Sequence, residues 1–268
     1  DLANEYGKIC GNYSLWSNLT IFWGCGTNLH RTPYNARNHE YYSEDAVLTS
    51  GQAVAFISGG KEYGVIIAPK HLAFNDTEIN RTGVSVFMTE QQARENELRG
   101  TQAAIEDAGA LGVMTAFNRV GITAANAHTG LLKNILRGEW GFKGLESQDF
   151  IMNPNYAVLK EYALNGGTMT TFTGENTMAA VSEKFAYWTT ENVGQDTQLM
   201  SAIKQAMTWQ AYALANSNAL DGMASSTRLV SVRTWYDNAL VAVQVVFAAL
   251  TVLAAAMYVL NDRKSKKQ

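Results

Sequence analysis

At 268 residues the chain is long enough for one large α/β domain or two smaller ones, with a sizeable buried core. Charged residues make up 17% and apolar residues 47%, which excludes long disorder. The net charge is −3 and no basic aromatic patch occurs, so nucleic acid is not an expected partner.

The chain opens on Asp1 with no signal peptide ahead of it, so its domain is expected to lack its first elements. Cys10 and Cys25 are too few for a disulfide framework and have no metal-ligand spacing. They pair or stay as two buried thiols; both readings stand. Residues 29–45, LHRTPYNARNHEYYSED, are rich in turn formers and carry Arg31, Arg37, His39, Glu40 and Asp45. The run YGVIIAPKH (63–71) is a buried-strand pattern ending on polar residues.

A helix follows over 88–109, with Thr89 and Gln92 at capping-box spacing. LGVMTAFN (111–118) is a second strand, and TGLLKNILRGEWGF (129–142) a helix stopped at Gly138 or Gly141. GLESQD (144–149) is a third strand. A helix over 153–167 has Asn153 as cap and Pro154 at its first position, and GTMTTF (167–172) is a fourth strand.

Strands alternating with helices through short connections predict a parallel sheet, in which ligands gather at the strand C-termini. Gly-rich phosphate loops and the GxSxG elbow are absent. The four histidines have no HxH or HExxH spacing, so neither a metal site nor a cofactor is expected. Residues 196–216 predict an amphipathic helix with a core stripe of Leu199, Ile203, Ala206, Met207 and Ala211.

From Ala239 to Leu260 no charge interrupts the chain, and Arg263, Lys264, Lys266 and Lys267 follow at once. This predicts a transmembrane helix over 239–260 and a basic cytoplasmic tail over 261–268. Residues 224–238 read as a juxtamembrane linker, and residues 1–223 as a domain outside the cytoplasm.

Five segments carry more than local pattern: RTPYNARNHEYYSED, KHLAFNDTEINR, VMTAFNRVG, LLKNILRGEWGFKG and ESQDF. Their order and spacing resemble the barrel domain of glycoside hydrolase family 3, over roughly residues 20–223. The resemblance implies a (β/α)8-type barrel, incomplete at its N-terminus, from a retaining exo-β-glycosidase of β-glucosidase or β-xylosidase type. It implies Asp149 as the catalytic nucleophile. Lys70 and His71 would grip the sugar hydroxyls, with Arg37, Glu40, Arg81 and Phe117 around them.

Arg, Lys and His are multidentate partners for hydroxyls, and cationic neighbours are expected to hold Asp149 ionised. A retaining mechanism needs a second carboxyl about 5–5.5 Å away. The family carries this acid/base on a sandwich domain, expected here to precede the barrel in a permuted order. Five positions depart from the family pattern: Ala36, Phe117, Glu146, Gln148 and Met169. A catalytically degenerate, membrane-anchored carbohydrate-binding or scaffold protein is therefore the alternative reading.

Overall fold

A computed structural model describes residues 1–150, 159–171, 188–221 and 234–265. The chain divides into two compact units, Asp1–Asp221 and Gly222–Gln268.

The first unit begins with helix α1 (Leu2–Trp16), strand β1 (Ile21–Gly26) and helix α2 (Ala46–Lys61). None of the three was assigned from the sequence. Asp45 caps α2, its Oδ1 accepting from the Leu48 amide at 2.6 Å. Strand β2 (Ile66–Leu72) follows, and then the two-residue β3 (Ser85–Val86). Helix α3 comes in three pieces: Glu90–Gln92, a π-type turn at Ala93–Glu97, and Arg99–Glu106. Thr89 caps it as expected, accepting from the Gln92 amide at 3.2 Å.

Strand β4 (Gly112–Thr115) leads to a small hairpin of β5 (Arg119–Val120) and β6 (Thr123–Ala124). The wide-turned helix α4 (Gly130–Glu139) precedes β7 (Leu145–Gln148). Helices α5 (Leu159–Leu164), α6 (Thr190–Gln195) and α7 (Thr197–Ala215) complete the unit. The expected helix start at Asn153 and Pro154 lies outside the described residues.

The main sheet is parallel throughout, in the order β1-β2-β4-β7. Met169 adds a parallel bridge to Ser147 where the fourth expected strand lies. Among the described residues this is a parallel α/β sheet of four strands plus that bridge, and closure into an eight-stranded barrel is not seen. A second sheet, β3-β5-β6, was not foreseen; its pairs are too short to leave a period in the sequence.

The main-sheet strands β2 and β4 are short, largely apolar runs because helices cover them, whereas β7, Leu-Glu-Ser-Gln, is equally buried but mostly polar. Ile57 from α2, Ile67 and Leu72 from β2, Val113 from β4, and Leu132 and Leu136 from α4 are almost wholly excluded from solvent and share one core. On α7 the expected stripe is corrected: Leu199, Ala206 and Ala213 are buried, whereas Met207 and Ala211 are exposed. The reason lies in polar contacts on the inward side. Gln210 donates to the Thr168 carbonyl, and Trp209 stacks on the Arg137 guanidinium 3.8 Å from its ring centre. These two side chains turn the helix away from the purely apolar stripe.

The second unit holds helix α8 (Trp235–Ser265). Its Trp235–Leu260 portion is long and apolar enough to cross a membrane.

Candidate active site

Parallel strands end on one edge of the sheet, and the predicted site residues lie there. Lys70 and His71 close β2, Phe117 follows β4, and Asp149 follows β7. Arg37 precedes and Glu40 ends a short 3₁₀ turn, Asn38–Glu40, that follows β1. Arg81 lies in the loop after β2.

Five of the six predicted substrate-binding residues form one chain of contacts. Arg37 makes two parallel hydrogen bonds to Glu40, each 2.8 Å, and Lys70 Nζ lies 3.0 Å from Oε2 of the same carboxylate. The Arg37 hydrogen bonds, and then Lys70, hold the Glu40 carboxyl down at about 2, although burial opposes them. Arg37 also faces Glu78 at 3.7 Å, and Glu78 pairs with Arg81 at 3.0 Å. The Arg81 guanidinium lies over the Phe117 ring, 4.4 Å from its centre. Phe117 therefore serves as an apolar platform for a cation.

The sixth, His71, meets the predicted nucleophile. Its Nε2 is 3.5 Å from Asp149 Oδ2, and both residues are buried. Burial, with Arg37 and Lys70 adding to it, pushes the imidazole well below its ordinary range, so His71 is neutral at neutral pH. The His71–Asp149 contact is thus a polar contact and not an ion pair.

Asp149 Oδ1 accepts from the Phe150 amide at 2.8 Å, and its own amide reaches the Thr115 carbonyl on β4. Its carboxyl is raised above the ordinary Asp value of 3.8. Burial is the leading cause and exceeds the combined pull of the Phe150 amide and the Arg81, Arg37 and Lys70 charges. The cations act in the expected direction, favouring the ionised form, but burial outweighs them.

Asn28, Tyr41 and Asn126 at this edge escaped the sequence reading, whereas Asn75 stood in the KHLAFNDTEINR segment without an assigned role. Asn28 clamps the His71 peptide on both sides: its Nδ2 donates to the His71 carbonyl at 3.0 Å, and its Oδ1 accepts from the His71 amide at 2.8 Å. Tyr41 and Asn75 lie behind the imidazole. Gln148 is turned to Asn126, whose Nδ2 donates to it at 2.6 Å. Asn28 was hidden because β1 itself was not recognised. Tyr41 stood in plain view beside Glu40, with nothing to separate it from Tyr42.

Among the described residues no cluster of three or more metal-ligating side chains occurs. Cys10 and Cys25 are both free and buried, which settles the pairing question against a disulfide.

A parallel α/β sheet with a carboxylate, an imidazole and a cationic row at its C-terminal edge has the layout of parallel α/β enzymes, whose ligands bind at the strand C-termini. The family follows from direct comparison. The chain belongs to the glycosyl hydrolase family 3 N terminal domain, whose family model matches residues 1–183.

A beta-glucosidase of Bacteroides ovatus, BoGH3A, is 36% identical over 149 residues, covering 56% of this chain and 20% of its own length. A probable beta-glucosidase J of Emericella nidulans is 35% identical over 150 residues, covering 56% of this chain and 18% of its own. The structure of beta-glucosidase 3B from Thermotoga neapolitana in complex with glycerol superimposes with a TM-score of 0.73 at 27% identity, over 82% of this chain and 31% of that one. The chain thus spans about a fifth of the length of these curated relatives.

Proposed function

We propose that this chain carries the glycone-binding and nucleophilic half of a retaining exo-β-glycosidase acting on terminal β-linked glucose or xylose. The observation that carries the reading is Asp149 at the end of β7, in contact with His71 and within reach of the charges of Lys70, Arg37 and Arg81. In this reading Asp149 attacks the anomeric carbon and forms a glycosyl ester. Lys70, Arg37 and Glu40 bind the sugar hydroxyls, and the Arg81–Phe117 pair walls the pocket. The acid/base is supplied by a second domain of the parent protein. Similarity to beta-glucosidases favours glucose over xylose.

Helix α8 supports a further element: attachment to a membrane, with the sheet domain on the outer side and residues 261–268 facing the cytoplasm.

The test is covalent trapping. A 2-deoxy-2-fluoro-β-glucosyl fluoride needs no acid to expel its leaving group, so it probes the nucleophile without the second domain. Label on Asp149 by peptide mass mapping is the expected result. In the parent protein Asp149→Ala is expected to lower aryl β-glucoside hydrolysis by orders of magnitude. Sugar binding with no label would assign the chain to the non-catalytic class, and full activity of the variant would refute the assignment of Asp149 as nucleophile.

A further inference from the structure

His71 lies between two partners, and they make opposite demands on its ring. Nε2 faces Asp149 Oδ2 at 3.5 Å, and Nδ1 faces the Tyr41 hydroxyl at 3.4 Å. The peptide of His71 is already fixed by Asn28 on both its polar atoms. What remains to be decided is the ring: its orientation and which nitrogen carries the proton. A neutral imidazole has one N–H and one lone pair.

We propose that Tyr41 is a positioning residue for the reaction: its hydroxyl donates to His71 Nδ1 and so holds the imidazole in the tautomer whose Nε2–H faces Asp149. The inference rests on the assignment of Asp149 as nucleophile.

Tyr41 is built for that task. It is 5% exposed, and its ring meets His71 edge-on with centres 6.4 Å apart. Burial above all raises its hydroxyl well beyond the ordinary tyrosine range, so it remains protonated and able to donate. Asn75 Nδ2 donates to the hydroxyl oxygen at 3.1 Å, which anchors it.

The Asn75 carbonyl, 3.0 Å away, competes with Nδ1 for the one hydroxyl proton. This competition gives two arrangements. In the first, Tyr41 donates to Nδ1 and Nε2–H points at the carboxylate, which is attractive. In the second, Tyr41 donates to Asn75, Nδ1–H donates to Tyr41, and the bare Nε2 lone pair faces Asp149, which is repulsive while Asp149 is ionised. The charge on Asp149 therefore selects the first arrangement, and Tyr41 makes it available by supplying the donor. Loss of that charge on esterification releases the selection.

The experiment uses the 268-residue chain labelled with ¹⁵N-histidine, read by long-range ¹H–¹⁵N correlation at neutral pH. Wild type is expected to show His71 as the Nε2–H tautomer, with Nδ1 as a hydrogen-bonded acceptor. In Tyr41→Phe, with circular dichroism and melting retained, the Nδ1 resonance should move toward an unbonded acceptor or the tautomers should mix. Trapping by the 2-fluoro sugar should slow by on the order of tenfold.

An Nδ1–H tautomer in wild type overturns the proposal, and that measurement decides it even if Tyr41→Phe fails to fold. Unchanged ring shifts in a folded Tyr41→Phe, with label still on Asp149, overturn the positioning role alone. Absence of label from Asp149 overturns the nucleophile assignment and the reaction role of Tyr41 with it.

Discussion

Glu146 precedes the proposed nucleophile on β7, fully buried, and both its carboxyl oxygens are without a hydrogen-bond partner. Burial is the main reason its carboxyl is pushed up to about 7; the nearby Tyr162 hydroxyl, which donates to the Glu146 and Met169 backbone carbonyls, and the Arg137 charge oppose it without cancelling it. The unfolded chain ionises near the ordinary value of 4.5. Below that value Glu146 is neutral in both states and costs little. As pH rises from about 4.5 to about 7, the unfolded state releases its proton before the folded state does, so stability falls across that window and stays low above it. The cost is on the order of 3 kcal/mol.

Glu97 adds a slope of the same sign, its carboxyl raised to about 7 by burial and by Asp76, against Arg31. Glu146→Gln should therefore flatten, without abolishing, the loss of denaturant stability between pH 5 and pH 8. An unchanged slope would mean that Glu146 is already ionised in the fold. The sequence marked Glu146 as out of place in an apolar strand. What it could not show was the missing partner, because that depends on which helix residues close over the strand.

At the scale of elements, the strand ends were legible and the first helices were not. The β2, β4 and β7 runs are bounded by polar residues and turn formers, so their C-termini fell within a few residues of where the structure has them. Helices α1 and α2 lack such a contrast. Helix α2 is AVLTSGQAVAFISGGK, with one charge at its end and small residues on most faces. Its signal is steric, and only the packed pair reveals it.

A Cβ on Gly7 of α1 would lie 2.0 Å from the Phe56 carbonyl oxygen, and one on Gly59 of α2 would lie 2.1 Å from the Asn4 carbonyl oxygen. The two backbones touch where a side chain has no room. Gly51, on the same helix, has nothing within 4 Å of an added Cβ. The same substitution should thus have opposite signs at two positions of one helix. Gly51→Ala should stabilise by up to about 1 kcal/mol through helix propensity. Gly59→Ala should gain that amount and lose more by forcing the helices apart, for a net cost of about 1–3 kcal/mol. Urea denaturation of the two variants reads the difference, and equal shifts of the same sign would refute the close approach.

For the molecule as a whole, the family and the clustering of the candidate residues were legible where short motifs are held at strand ends. Arg37, Glu40, Lys70, His71, Arg81, Phe117 and Asp149 come from four separate segments, and the fold gathers them at one edge through direct contacts. Helix α8 was legible for a different reason. Hydrocarbon-spanning length and apolar composition are one-dimensional properties that need no tertiary partner. Its Trp235–Leu260 stretch holds Leu240, Val245, Phe247, Leu253 and Met257 open to the surroundings, each more than half exposed.

In water so many open apolar side chains on one helix would drive association, whereas in a bilayer they are at their most favourable. The prediction that follows separates the helix from the sheet domain. Expressed with α8, the chain should stay in the pellet after alkaline carbonate washing and enter detergent. Ending the chain at residue 234 should move it to the supernatant and leave trapping of Asp149 by the 2-fluoro sugar unchanged. A chain that sediments equally with and without α8 would place the attachment elsewhere. One that loses the label on truncation would make α8 part of the folded domain and not an anchor.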